Sequence, residues 1–360
     1  MARPCIKLLS TSHLLHNIDT LKKRAAGSQL VAVIKTNAYG HGAVDVAQRL
    51  EGRVSFLAVS SLCEAVVLRK ANIKTPILLL AGVFTKNELS IAEQLQCSVA
   101  LHSAHQLEWI QQERPRLSVW IKINSGMTRL GFRPEDVPAL YQKLCSYPTL
   151  MRPIRLLSHF SCADTQNHRL NQIQRNVMAD IRQQIDAPIS FCNSAAIFHF
   201  PECHYDYVRP GLALYGVSPI STLSSQDIDL KSVMTLSSQL IAVQTLKKGE
   251  SVGYDARYTN TQQESILIGI VAMGYGDGYS RTARLGTPVL IRGKECPILG
   301  GVSMNMTIVD LRPCPAATVG EDVLFWGPSL PIERLVAHTG RITYDLLASI
   351  SESMPSLWID

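Results

Sequence analysis

Short runs of apolar, often β-branched residues recur through the first 215 positions, and each is followed by a stretch with the apolar spacing of a helix. Continuous apolar strands of this length are typical of a parallel sheet covered on both faces. Ser61 and Glu64 fit a capping box at the start of one helix. The runs expected to form strands are 30–34, 56–59, 77–80, 98–101, 118–123, 154–157, 189–191 and 212–215, the last preceded by Val208.

Eight strand and helix pairs over about 200 residues predict an α/β fold of the (β/α)₈ TIM-barrel type. The alternative is an open doubly wound sheet. A dinucleotide-binding sheet would carry Gly-x-Gly-x-x-Gly after its first strand. The residues after the first strand here, Lys35-Thr-Asn-Ala-Tyr-Gly-His-Gly, do not match that pattern.

The pattern changes after Gly216, where a polar connector at 221–227 follows. Glycine and proline then separate the apolar runs 233–246, 265–273, 287–291 and 306–311. Such spacing predicts a mostly antiparallel β domain. We therefore divide the chain into a barrel, residues 1–220, and a C-terminal β domain, residues 221–360.

Composition narrows the classes of function. The chain has 360 residues, of which 46% are hydrophobic, so we expect a folded globular protein. Its net charge of +6 is spread along the chain without a basic tract, which argues against a nucleic-acid partner. The longest apolar stretches, 76–84 and 265–274, are too short to span a bilayer, so no membrane partner is expected.

The nine cysteines are irregularly spaced and form no Cys-x-x-Cys pair. A disulfide framework or a zinc site would need regular spacing. Reduced thiols fit better, and the first residues show no secretory signal pattern. We therefore expect a cytoplasmic protein without a metal site.

Polar residues follow the predicted strands where a barrel has its active site, at the carboxyl ends of the strands. A lysine buried at this rim has a lowered pKa and becomes a competent amine nucleophile for a Schiff base. The residues gathered there are Lys35, Lys122, Asn124, Arg129, Ser158, His159, Asn193, Ser194 and Arg209.

The segment Ala-Val-Ile-Lys35-Thr-Asn-Ala-Tyr39-Gly-His-Gly resembles the pyridoxal-phosphate lysine motif of alanine racemases. The resemblance covers nearly the whole chain and implies a barrel followed by a β domain. Further motifs in the family's order are KINSGMTRLGF from Lys122, SHF from Ser158, NSA from Asn193, VRPG from Val208, VGY from Val252, MGYGDG from Met273, VSM from Val302 and ITYD from Ile342.

The resemblance implies two catalytic bases on opposite faces of the substrate. Lys35 would hold pyridoxal 5'-phosphate covalently and act as one base, and Tyr254 would act as the other. In the family this tyrosine comes from the partner subunit, so the resemblance also implies a homodimer with shared active sites.

Four further residues acquire roles from the resemblance. Arg209 would face the pyridine nitrogen and leave it neutral, because a guanidinium cannot accept a proton. His159 would hydrogen-bond to that arginine. Arg129 would lie near the cofactor's phenolic oxygen and bind the substrate carboxylate. Lys122 corresponds to a lysine that carries a carbamate in many members, a change that would turn a cation beside Arg129 into an anion.

The remaining matches concern cofactor contacts and substrate access. Tyr275 and Met304 would contact the substrate from the second subunit, and Asp164 and Arg281 would line its approach. Gly301 and Asn305 stand where the family usually has an arginine and an aspartate, which leaves the substrate range open. The residues implied for the cofactor, most of them at its phosphate, are Tyr39, Asn193, Ser194, Gly211, Leu212 and Tyr344.

The function implied is interconversion of L-alanine and D-alanine, which supplies D-alanine for peptidoglycan. One alternative is an amino-acid racemase of broader specificity, and another is a decarboxylase of the related barrel group, against which Arg209 argues. A different class is a non-catalytic pyridoxal-phosphate homeostasis protein built on the barrel alone. The second domain with Tyr254 argues against it.

Overall fold

A computed structural model describes residues 3–360, which group into two compact units. One unit comprises Leu15–Leu214 and Ser218–Leu223, and the other comprises the residues up to Leu14, Tyr215–Val217 and Ser224–Asp360. No helix among the described residues is long and apolar enough to cross a membrane.

The first unit is a closed barrel of eight parallel strands, which confirms the predicted fold class. Each strand pairs with the next along the chain, and the eighth pairs with the first. The barrel strands are Gln29–Val33, Phe56–Val59, Ile77–Leu79, Cys97–Leu101, Ser118–Lys122, Met151–Leu157, Ile189–Asn193 and Tyr207–Arg209.

Helices alternate with these strands along the chain. The capping box predicted for Ser61 and Glu64 is present at the start of Leu62–Lys70. The helices are Thr11–Arg24, Ala43–Leu50, Leu62–Lys70, Glu88–Gln94, Ala104–Glu113, Val137–Cys145, Arg169–Gln184 and Ser194–His199.

The eighth strand differs from the prediction. The run 212–215 was expected to be the strand, but Leu212–Tyr215 is a 3₁₀ helix and the strand is Tyr207–Arg209. Arg209 is buried in this strand, and hydropathy does not count an arginine as a core position. The buried apolar run that follows it packs as a turn of helix instead.

Aromatic side chains fill the amino-terminal end of the barrel. The rings of Phe56, Trp120 and Tyr207 meet edge to face at centroid distances of 5.2–6.0 Å. The Arg155 guanidinium lies over Phe56 and Trp120, 5.4 Å from each ring centroid. This packed end leaves the carboxyl ends of the strands to carry the polar site.

The second unit is built on a mostly antiparallel sheet. In spatial order its strands are Ile266–Val271, Thr307–Asp310, Lys294–Leu299, Pro288–Ile291, Asp322–Trp326, Met234–Leu246, Ile6–Ser10 and Ser356–Ile359. A two-stranded sheet, Ser251–Val252 with Tyr258–Thr259, and the helices Glu333–Thr339 and Thr343–Ala348 complete it.

The amino-terminal strand differs from the proposed division at residue 220. Ile6–Ser10 pairs antiparallel with Met234–Leu246 and parallel with Ser356–Ile359, so it lies in the second unit. Its pairing partners lie more than 220 positions away in sequence, and nothing in the local apolar pattern specifies such a partner.

Candidate active site

Lys35 lies two residues after the end of the first barrel strand, and the four residues that follow it adopt left-handed backbone conformations. Thr36, Asn37, Ala38 and Tyr39 have φ angles of 49–55°. Each left-handed residue other than glycine costs about 1–2 kcal/mol, and such residues usually occur singly. The turn is held by hydrogen bonds from the Ala43 N–H to the Asn37 side chain (2.7 Å) and from the Gly42 N–H to the Asn37 carbonyl (3.0 Å).

The barrel brings four predicted cations within electrostatic range of one another. Burial and the nearby Arg129 lower the pKa of Lys35, and burial lowers that of Lys122 well below its usual range. The charged neighbours that act on Lys122 are Arg209, Arg129 and Lys35, all of them cations. A site assembled from like charges favours neutral amines and attracts anions.

Arg209 is the most enclosed of these cations. Its Nη1 donates to the Ser190 hydroxyl at 2.7 Å, and its Nη2 donates to the Ser158 and Phe191 carbonyls and to the Nδ1 of His159 at 3.2 Å. Burial lowers the pKa of Arg209 to about 10, so the guanidinium stays protonated at neutral pH.

His159 is uncharged in this arrangement. Burial, followed by the charge of Arg209, lowers the pKa of its imidazole well below the usual range. The predicted contact between His159 and Arg209 is therefore present, with a neutral ring as the acceptor.

Arg129 lies on an exposed loop after the fifth barrel strand. The Asn124 side chain accepts hydrogen bonds from the backbone of Thr128 (2.9 Å) and Gly126 (3.3 Å), which shapes the loop. A Cβ at Gly131 would lie 2.6 Å from the Asn124 nitrogen, so the loop closes only around a glycine. Local hydrogen bonds thus place Arg129 near Lys35 and Lys122.

Backbone amides and hydroxyls collect where the seventh and eighth strands end. The buried Ser194 hydroxyl accepts hydrogen bonds from the N–H groups of Gly211 (2.9 Å) and Ala213 (3.2 Å). An added Cβ at Gly211 would lie 2.8 Å from the Tyr39 hydroxyl, so these groups converge closely. Leu212 begins the adjoining 3₁₀ helix. Clustered backbone N–H groups and hydroxyls form a suitable site for an anion such as phosphate.

Asn193 was expected to contact the cofactor. Its side chain caps the helix Ser194–His199 by accepting a hydrogen bond from the Ala196 N–H at 3.1 Å. The asparagine thereby fixes the first turn of the helix that carries Ser194.

The other predicted residues are exposed, and all but Asp164 lie in the second unit. Tyr254 is 76% exposed on a short turn whose next two residues have positive φ. Tyr275 is partly exposed beside Arg281, whose guanidinium lies 5.5 Å from the ring centroid. Met304 and Tyr344 are also exposed. Asp164, in the barrel, is exposed as well.

Two supporting residues were missed from the sequence. Ser190 orients Arg209, and the fully buried Gln174 donates to the His159 carbonyl (2.8 Å) and the Ser125 hydroxyl (3.1 Å). The Gln174 oxygen also accepts from the backbone and hydroxyl of Ser161. A serine inside an apolar strand was a usable signal for Ser190, whereas nothing distinguished Gln174 from other glutamines of its helix.

Comparison with known proteins identifies the family. Residues 9–219 match the model of the alanine racemase N-terminal domain, and residues 233–358 match that of the alanine racemase C-terminal domain. The chain is 41% identical over 351 residues to an alanine racemase of Edwardsiella ictaluri, with 96% of each chain covered. It is 40% identical to one of Chromohalobacter salexigens, with 99% of this chain and 98% of the relative covered.

Solved structures give the same result. The biosynthetic alanine racemase of Pseudomonas aeruginosa superposes with a TM-score of 0.95 at 38% identity, and all of both chains is covered. The alanine racemase of Acinetobacter baumannii gives a TM-score of 0.93 at 34% identity, with 99% of this chain and 100% of that chain covered. Because both domains match, the chain belongs to the alanine racemase family.

Proposed function

We propose that this protein interconverts L-alanine and D-alanine with pyridoxal 5'-phosphate, and that it acts as a homodimer with shared active sites. The observation that carries the proposal is the group of Lys35, Lys122, Arg129 and Arg209 around the neutral His159. The similar proteins are alanine racemases, which supports alanine as the substrate, and the relative from Pseudomonas aeruginosa is a biosynthetic one, which supports a role in supplying D-alanine for peptidoglycan.

The residues present fit the cofactor. Pyridoxal phosphate carries a phosphate and a phenolate, and alanine adds a carboxylate, so these anions offset the cations at the rim. The hydroxyls of Ser194 and Tyr39 and the backbone N–H of Leu212 would hold the phosphate, with the Gly211 N–H shared between the phosphate and the Ser194 hydroxyl to which it donates. Tyr344, exposed on its helix, would add a further hydroxyl to the phosphate.

Arg209 would hold the pyridine nitrogen by donating a hydrogen bond. A guanidinium has no lone pair that could accept a proton, and it does not release its own protons at neutral pH. The pyridine nitrogen therefore stays unprotonated. When bound, the cofactor supplies the electron sink that stabilises negative charge at the α-carbon of alanine. A neutral nitrogen makes this sink shallower, which limits side reactions such as transamination.

Lys35 would attach the cofactor covalently and exchange a proton with one face of the substrate. Its lowered pKa gives a larger share of neutral amine, the form that attacks a carbonyl carbon and accepts a proton. Tyr254, supplied by the partner subunit, would exchange the proton on the opposite face. Its exposure on its own chain leaves the phenol available to a neighbouring protomer.

Arg129 would orient the substrate carboxylate with its planar fork. Tyr275 and Met304 would approach the same carboxylate from the partner subunit, and both are exposed. Asp164 and Arg281 would line the approach of the substrate. A carbamate on Lys122 would place a negative charge among the cations and fix Arg129 in place.

The test is formation of D-alanine from L-alanine by the purified holoenzyme. We expect D-alanine to accumulate to equal amounts of the two enantiomers, and we expect the Lys35→Ala variant to form none. Borohydride reduction of the wild-type enzyme should attach the cofactor irreversibly to Lys35, which peptide mapping would detect. Dimeric, cofactor-loaded protein that forms no D-alanine would refute the proposal, and equal rates with other amino acids would show a broader racemase.

A further inference from the structure

We propose that Arg3 is a positioning residue for the substrate-contacting loops of the second unit. Its guanidinium ties together the loop that carries Tyr275 and the turn that carries Met304. The inference rests on the proposed function, which places both side chains at the substrate of the partner subunit.

Arg3 bridges three separate points of one unit. It pairs with both carboxylate oxygens of Asp277, with Nη2 lying 2.9 Å from Oδ2. The same Nη2 donates to the carbonyl of Ala272 at 3.2 Å and to that of Asn305 at 2.6 Å. A planar fork of fixed donors is suited to this geometry, since it can hold a carboxylate and neighbouring carbonyls at once.

The two segments bridged by Arg3 are already in backbone contact. The Tyr275 N–H donates to the Ser303 carbonyl at 3.0 Å, and the Gly276 N–H donates to the Met304 carbonyl at 2.7 Å. A Cβ at Gly274 would lie 2.3 Å from the Ser303 oxygen, so the chains approach as closely as backbone allows. A small displacement of either segment therefore moves the other.

Arg3 acts next to the two side chains concerned. Asn305 directly follows Met304, and Asp277 lies two residues after Tyr275. The Asp277 carboxylate also accepts a hydrogen bond from the Gly274 N–H at 2.9 Å, which fixes the start of the loop that carries Tyr275. The guanidinium thus sets the spacing between Tyr275 and Met304, whose side chains are both exposed.

Charge makes Arg3 hard to replace. Asp277 is only 8% exposed, and Arg3 is the cation that the structure pairs with it. Lysine at position 3 keeps a positive charge, but a single ammonium lacks the fork that reaches the carboxylate and the Asn305 carbonyl together. Glutamine loses both the charge and the fork.

The experiment compares Arg3→Gln, Arg3→Lys and the control Arg334→Gln in the holoenzyme. Arg334 forms a bidentate ion pair with Glu295 in the same unit, at 2.6 and 3.1 Å, and its bonds do not touch either loop. We expect Arg3→Gln to raise KM for alanine about fivefold with a smaller change in kcat. Arg3→Lys should retain part of the wild-type affinity, and the control should match wild type in both constants.

A double-mutant cycle with Tyr275→Ala separates positioning from general damage. If Arg3 works through this loop, adding Arg3→Gln to Tyr275→Ala costs less than it does in the wild-type background. Additive effects, or wild-type KM in Arg3→Gln, would overturn the inference. If Arg3→Gln does not fold, Arg3→Lys carries the same cycle. A wild-type enzyme inactive on alanine would instead count against the proposed function.

Discussion

The Arg209 guanidinium donates a hydrogen bond to the Nδ1 atom of His159 at 3.2 Å. A guanidinium has only donors, so Nδ1 must act as acceptor, and the imidazole proton therefore lies on Nε2. A buried cation is stabilised here without a carboxylate, by carbonyls, a serine hydroxyl and a neutral ring. This arrangement keeps Arg209 a pure donor towards whatever lies in front of it.

The neutral His159 predicts a pH dependence of stability. Its pKa is lower in the folded than in the unfolded protein, so the unfolded state binds more protons between those two values. Stability is therefore lost as pH falls through about 6.5, the unfolded value. Between pH 7.5 and 5.5 we expect the wild type to lose about 1 kcal/mol more than His159→Gln, whose amide oxygen can still accept from Arg209.

Thermal unfolding at several pH values measures this difference. His105→Gln is the control, because His105 is exposed and its imidazole takes no part in the contact between His159 and Arg209. Parallel pH profiles for wild type and His159→Gln would contradict the prediction.

Gly211→Ala should weaken cofactor binding. The new methyl group would lie 2.8 Å from the Tyr39 hydroxyl and would displace it from the phosphate donors. We expect an increase of about tenfold in the dissociation constant of pyridoxal phosphate, since one good hydrogen bond to a charged group is lost. Titration of the apoenzyme, followed by absorbance, measures it.

Two variants sharpen the Gly211 test. Gly301→Ala is the control because its new Cβ would meet its nearest atom, on Arg257, at an ordinary 3.6 Å. In a Tyr39→Phe background the hydroxyl is gone, and Gly211→Ala should then cost little more. A full tenfold effect in that background would show that the steric explanation is wrong.

Lys122 should carry a carbamate. Burial and the nearby cations hold its pKa well below the usual range, which enlarges the share of neutral amine, and that form can attack carbon dioxide, forming an N–C bond and releasing a proton. The resulting anion would offset Arg129 and Arg209. Lys122→Gln should lower kcat/KM about tenfold, the effect of losing one charge-assisted contact.

Electron density at Lys122 and labelling with ¹³C-bicarbonate test the modification. We expect a carboxylate on the side chain, and a ¹³C signal that Lys122→Gln abolishes and Lys248→Gln retains. Density for an unmodified ammonium group would rule it out.

Subunit complementation tests the shared site. Lys35→Ala and Tyr254→Phe homodimers should each be inactive as racemases, because each lacks one of the two bases. After the two are mixed and reassembled, half of the dimers are mixed and each contains one intact site, so activity should return to about a quarter of wild type. Co-purification through two different tags isolates the mixed dimer. An inactive mixed dimer would show that Tyr254 does not complete the active site of the partner subunit.

Local pattern predicted most of the barrel because each strand there pairs with its neighbour in sequence. The exceptions have physical causes. The eighth strand contains the buried Arg209, which no apolar pattern identifies, and Ile6–Ser10 pairs with segments from the far end of the chain.

The candidate site divides in the same way. The rule that barrel sites lie at strand ends located Lys35, Lys122, His159 and Arg209 from sequence alone. That rule does not identify supporting residues such as Gln174 and Arg3, because their roles depend on which backbone carbonyls they contact after folding.

The left-handed turn after Lys35 has a consequence for the newly made chain. Four successive residues there adopt a conformation that the free chain rarely visits, so the turn can form only when the surrounding barrel imposes it. Until then the lysine is solvated and mainly protonated, like any other. Its reactivity towards aldehydes thus arises with barrel closure, and a chain whose barrel has not yet closed presents Lys35 as an ordinary solvated amine.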